Sequence, residues 1–175
     1  MPTVIPAPEP VTVAVASTED RFPVRNIYCV GRNYAAHARE MGKDPDREPP
    51  FFFAKPATSL VGNNTTIPYP PRTENLHHEI ELVVALSGGG SNLKPEDAES
   101  IIYGYAVGND LTRRDLQGEA KKMGRPWVTG KGFDHSAPRT AIHPATSVGH
   151  LDSGEIWLDV NGERRQEGDL RDLIW

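Results

Sequence analysis

His77-His78-Glu79-Ile80-Glu81-Leu82-Val83-Val84-Ala85-Leu86 carries the strongest strand signal in the chain, an aliphatic, β-branched run stopped by Gly88-Gly89-Gly90. In a strand the side chains at i and i+2 share a face, so Glu79 and Glu81 point the same way at the start of an otherwise apolar segment. Two neighbouring carboxylates on a half-buried strand repel each other and lose hydration unless something compensates them. A divalent cation is the simplest compensation, and ligation by oxygen alone selects Mg2+, Mn2+ or Ca2+ over Zn2+. The alternative is a solvated sheet edge, with the glutamates paired to Arg72 or Lys55.

Downstream, a helical turn over Lys94 to Ser100 leads into a second strand, Ile101 to Gly108, which ends at Asn109-Asp110. A helix is expected over Leu111 to Met123, stopped by Gly124. Asp110 therefore either caps that helix or, if the two strands are neighbours, joins Glu79 and Glu81 on one ion. Asn161-Gly162, between Ile156–Val160 and Arg164–Glu167, is a hairpin signal.

Upstream, Asn26 to Gly31 reads as a strand, with Asn33 as the N-cap of a short helix from Tyr34 to Met41 closed by Gly42. His37 and Glu40 are i, i+3 neighbours on that helix, a spacing that suits either water activation by a carboxylate-supported imidazole or an ordinary surface pair. Phe51 to Ala54 is a short aromatic strand. Residues 1–23 hold five prolines and read as an extended arm with a short strand at Val11 to Val15. The expected organisation is this arm followed by one strand-rich α+β domain over residues 24–175.

Composition narrows the function. Sixteen glycines and sixteen prolines, about 18% of 175 residues, exceed the usual share of roughly 12% and disfavour a helical bundle. With 19 basic and 24 acidic residues and no basic stripe, the chain is a poor partner for nucleic acid. No apolar run is long enough to span a membrane, the start does not resemble a signal peptide, and the lone Cys29 fits a reducing compartment, so a cytoplasmic protein is expected. Cys29 itself reads as a small buried apolar side chain or, less simply, a nucleophile. His135, His143 and His150 stand at no ligand spacing.

Five motifs recur in a known order. They are Tyr28-Cys29-Val30-Gly31-Arg32-Asn33-Tyr34 with His37; Phe53-Ala54-Lys55-Pro56; His78-Glu79-Ile80-Glu81-Leu82; Asn109-Asp110-Leu111-Thr112 with Arg114-Asp115-Leu116-Gln117; and Gly130-Lys131-Gly132-Phe133-Asp134. Together they resemble the fumarylacetoacetate hydrolase family, and the stretches Gly42 to Pro56 and Leu111 to Pro138 look most like its fumarylpyruvate hydrolases.

The resemblance implies a mixed β-sheet roll in a homodimer, with Mg2+ or Mn2+ held by Glu79, Glu81 and Asp110. It implies hydrolysis of a carbon–carbon bond in an acylpyruvate, a dicarboxylic keto acid, with fumarylpyruvate the first candidate. His37, oriented by Glu40, would activate water; Lys131 and Gln117 would stabilise the oxyanion; Arg32 and Lys55 would meet substrate carboxylates. Related chemistries with the same residues are decarboxylation or isomerisation of a keto acid, and a non-catalytic metal-containing module is the alternative from another class. Relatives continue through a further β segment containing a Thr-Gly-Thr-Pro motif, so a chain ending at Leu173-Ile174-Trp175 is expected to lack the C-terminal part of the roll.

Overall fold

The computed structural model describes residues 3–34 and 49–175. In chain order the first strands are β1 (Thr12–Ala14), β2 (Arg21–Pro23), β3 (Ile27–Gly31), β4 (Phe51–Lys55), β5 (Leu60–Val61), β6 (Leu76–His77) and β7 (Ile80–Leu86). There follow β8 (Ile102–Asn109), β9 (Thr112–Arg113), β10 (Ala137–Pro138), β11 (His143–Pro144), β12 (Glu155–Val160) and β13 (Glu163–Asp169). Among the described residues three short α-helices are placed between them: α1 (Arg114–Lys122), α2 (Val128–Lys131) and α3 (Ala145–Val148).

The centre is the β11-β8-β7 sheet, flanked by the antiparallel pairs β1-β2, β3-β4, β6-β9 and β12-β13. β5 and β10 run parallel, which makes the sheet structure mixed. The second half of the arm of the sequence reading folds back as the β1-β2 hairpin, Thr12 to Pro23. Val13 from it joins Ala85, Ala106 and Ile142 in the core, and Phe22 stacks against Tyr103 with centroids 5.2 Å apart. β12 and β13 meet at Asn161-Gly162, both with positive φ (54° and 82°), the geometry of a two-residue hairpin turn.

One sequence expectation shifts, and the N-cap role expected of Asn33 concerns a helix mostly outside the described residues. The helix expected from Leu111 starts at Arg114, because Thr112 and Arg113 are drawn into a ladder with His77 and Leu76 and Thr112 is fully buried there. Asn33 directs its side chain to the end of the chain: its Oδ1 accepts from Trp175 N at 2.9 Å and its amide donates to Trp175 O at 3.3 Å. The expected helix from Tyr34 to Met41, with His37 and Glu40, falls mostly outside the described residues.

Register does the positioning. Ile80 pairs with Asn109 and Glu81 with Gly108, so the start of β7 lies against the end of β8, and Asp110 N donates to Glu79 O at 2.8 Å. Gly104, further along β8, lies so close under His143 that a Cβ would overlap the His143 carbonyl, a backbone atom that cannot move aside. Gly118, half-buried on α1, would gain a Cβ facing open space.

These two glycines predict opposite outcomes in urea unfolding. Gly104→Ala is expected to lower stability by at least about 2 kcal/mol through strain against fixed backbone. Gly118→Ala is expected to raise it by about 0.5–1 kcal/mol, the helix propensity difference.

Candidate active site

Glu79, Glu81 and Asp110 meet at the junction of β7 and β8, as the strand-neighbour reading required. Asp110 does not cap α1, and Arg72 does not pair with either glutamate. The charges facing the carboxylates come instead from Lys131, Lys55 and Arg114. Lys131, only 2% exposed, donates to Glu79 Oε2 and to Asp110 Oδ2, both at 2.6 Å. Arg114 pairs with Glu79 Oε1 and donates to Gln117 Oε1 at 2.6 Å, which leaves the Gln117 amide nitrogen as its donor.

Lys55 reaches the site from the end of β4. Its ammonium donates to the carbonyl oxygens of Lys131 (2.5 Å), Ser136 (3.0 Å) and Leu111 (3.1 Å), and it lies 2.8 Å from Asp110 Oδ1. Four acceptors around three protons bind Lys55 into the protein and beside Asp110.

Lys131 owes its position to local sequence. It ends α2, a four-residue helix packed on α1 where a Cβ on Gly130 would stand 2.9 Å from Gln117 N. A glycine at 130 allows that approach and so brings Lys131 and Gln117 to one place. Phe53 from β4 covers the lysine, whose Nζ lies 4.8 Å from the ring centroid.

The protonation pattern follows from burial and partners. Burial pushes the Glu79 carboxyl up, but Lys131 and Arg114 outweigh it and hold the group below its ordinary value. Burial pushes Asp110 up despite Lys55 and Lys131. Glu81 rises to about 8, first from burial and then from the charges of Glu79 and Asp110. Burial and the nearby Asp110 push the Cys29 thiol up to about 12, so it stays protonated and unsuited to nucleophilic attack.

Three carboxylates at a strand junction with nothing but oxygen to offer form a hard-cation donor set. As the side chains stand, no three His, Cys, Asp or Glu residues converge on a single point among the described residues, because the Lys131 ammonium lies between Glu79 and Asp110. One observation nonetheless fits a cation. Glu81 is buried beside two other carboxylates and has no ion-pair partner among the described residues. A buried carboxyl without a compensating charge is where a further cation would be held.

Of the residues expected from sequence, Glu79, Glu81, Asp110, Lys131, Lys55 and Gln117 come together. Arg32 lies apart from the carboxylates, its guanidinium 5.0 Å over the Phe51 ring. His37 and Glu40 lie outside the described residues. Arg114 was missed: its spacing to Gln117 along α1 was visible, but the pairing with Glu79 depends on β6-β9 placing α1 beside β7.

A roll of mixed sheets with this junction is that of a known enzyme class, and the chain belongs to the fumarylacetoacetate hydrolase family: residues 26–175 match the fumarylacetoacetate (FAA) hydrolase C-terminal model. The solved structure of fumarylpyruvate hydrolase from Pseudomonas aeruginosa in complex with Mn2+ and pyruvate is 51% identical, with a TM-score of 0.94 over 99% of this chain and 76% of that one. A fumarylpyruvate hydrolase of a Ralstonia species is 42% identical over 77% of this chain and 71% of its own length. The mitochondrial oxaloacetate tautomerase of Arabidopsis thaliana is also 42% identical, over 85% of this chain. The chain spans 66% of that tautomerase's length.

The raised Glu81 carboxyl gives a prediction for the metal-free protein. A group whose folded pKa lies above its unfolded value costs stability as pH rises from about 4.5 toward 8, because the unfolded chain ionises first. Glu81→Gln is therefore expected to raise metal-free stability at pH 8 by about 1–3 kcal/mol. The gain should vanish near pH 4 in denaturation curves recorded with EDTA.

Proposed function

We propose that the protein is a divalent-metal-dependent hydrolase of acylpyruvates, with fumarylpyruvate plus water giving fumarate plus pyruvate in the degradation of aromatic compounds. The observation that carries this reading is the gathering of Glu79, Glu81 and Asp110 at one strand junction, with the Glu81 carboxyl left without an ion-pair partner among the described residues. The Mn2+ and pyruvate in the 51%-identical Pseudomonas structure support it.

Glu79, Glu81 and Asp110 would hold Mg2+ or Mn2+, which supplies Lewis acidity and a template for a keto acid. Three carboxylates against Lys55, Lys131 and Arg114 balance formally, so a bound dication leaves the centre with two positive charges, complementary to a dianionic substrate. His37, supported by Glu40, takes a proton from water, and the oxygen adds to the distal carbonyl carbon. The Gln117 amide and the Lys131 ammonium are the donors available to the oxygen that becomes negative. The carbon–carbon bond then breaks with its electron pair retained by the pyruvyl fragment as an enolate, which is protonated to pyruvate. Lys55 holds Asp110 and the 131 and 136 carbonyls in place.

Residues 24–175 form the catalytic domain in this reading, steadied by the arm through Val13. The protein acts as a cytoplasmic homodimer, for which the exposed Tyr28, Val30 and Phe52 side chains of β3 and β4 offer an apolar contact face. A second reading is oxaloacetate tautomerisation, favoured by the 42% identity to the Arabidopsis tautomerase and needing the same carboxylates and Lys131 but no water attack.

An absorbance assay of fumarylpyruvate loss separates the two. Turnover is expected with Mn2+ or Mg2+ and is expected to stop with EDTA. His37→Ala should abolish hydrolysis while leaving Mn2+ affinity intact, and Lys131→Met should lower kcat by about 10²–10³. Conversion of oxaloacetate enol without any fumarylpyruvate loss would establish the second reading instead.

A further inference from the structure

Beside the carboxylate junction opens a cleft of about 630 Å³, of ordinary size for a small-molecule site. Its walls include Phe51, Phe53 and Trp127, and among the described residues its charged lining groups are Arg32, Arg125 and Lys131. All three are basic in a chain of net charge −5. Lys131 belongs to both places, since its ammonium binds Glu79 and Asp110 while its side chain lines the cleft. The cleft and the proposed reaction centre thus share Lys131.

The aromatic walls are packed against one another. Trp127 meets Phe51 edge to face, with centroids 5.3 Å apart at 87°, and Phe53 at 5.9 Å and 51°. Such fixed rings present flat apolar surface at low cost in side-chain entropy. Arg125 follows the Gly124 turn that ends α1, and its backbone N donates to Ala120 O at 2.8 Å, which anchors it at the cleft. Its guanidinium has no ion pair or hydrogen bond among the described residues. An arginine with no carboxylate partner among the described residues, set against aromatic surface, suits a planar anion.

We infer that Arg125 and Trp127, at this cleft, determine specificity for the substrate's acyl arm, the guanidinium meeting the arm's far carboxylate and the indole its flat conjugated chain. The inference rests on the acylpyruvate reading and sharpens it: the pyruvyl end lies at the carboxylate junction, and the far carboxylate lies toward Arg125. Oxaloacetate has a carboxylate where an acylpyruvate carries its acyl group, so an arm pocket serves the hydrolase reaction and not the tautomerisation.

Calorimetric titration of the Mn2+-loaded protein with fumarate, succinate and oxalate tests this without requiring turnover. The parent should bind fumarate, and bind it more tightly than the flexible succinate. Arg125→Gln and Trp127→Ala should each weaken fumarate at least about tenfold, while oxalate, which lacks an arm, changes by less than about twofold. Absent fumarate binding by the parent, unchanged fumarate affinity in Arg125→Gln, or equal losses for fumarate and oxalate would overturn the inference. Equal binding of succinate would overturn the requirement for a flat arm. The expected binding pattern without fumarylpyruvate hydrolysis would remove the hydrolase reading and leave the arm pocket standing. Hydrolysis without that pattern would do the reverse.

Discussion

Everything around the site depends on keeping three carboxylates in a low-dielectric strand junction. Glu79, Glu81 and Asp110 are forced together by the β7-β8 register, and their repulsion has to be met by positive charge brought from elsewhere. Lys131, Lys55 and Arg114 arrive on three different elements, and each of those elements is placed by a local device. The glycine at 130 lets α2 touch α1, the β3-β4 pairing delivers Lys55, and the β6-β9 ladder delays α1 until Arg114. The fold can be understood as the scaffold that brings these cations to that junction.

The compensation is uneven, and the unevenness is informative. Glu79 is bracketed by two cations and stays ionised, whereas Glu81, with no ion-pair partner among the described residues, is pushed up to about 8. A purely structural ion-pair network would be expected to pair its members evenly, because each unpaired buried group costs stability. Strain of this kind concentrated at one point is typical of sites where binding a further charge is part of the function.

The fold and the heart of the site were legible in the sequence for specific reasons. The i, i+2 spacing of Glu79 and Glu81 on a strong strand fixed a shared face, and Asn109-Asp110 at the end of the next strand supplied the third carboxylate once the strands were neighbours. The Asn161-Gly162 hairpin and the strand over Ile27–Gly31 were marked by local turn and β chemistry. Long-range facts were not legible. Arg114 meets Glu79 across 35 residues, Lys55 finds the carbonyls of 131 and 136, and Arg125 and Trp127 form a cleft with β4 that no spacing rule encodes. The start of α1 was misplaced because Leu111 to Arg113 fit a helical pattern locally, and the pairing with β6 that overrides it is tertiary.

The most direct measurement is an anomalous difference map from crystals of the protein soaked in MnCl2. A single peak within coordination distance of carboxylate oxygens from Glu79, Glu81 and Asp110 together is the expected result, with the Lys131 ammonium displaced from between them. A map with no peak there, or with Mn2+ bound elsewhere while Lys131 still bridges Glu79 and Asp110, would contradict a metal-dependent centre at this junction.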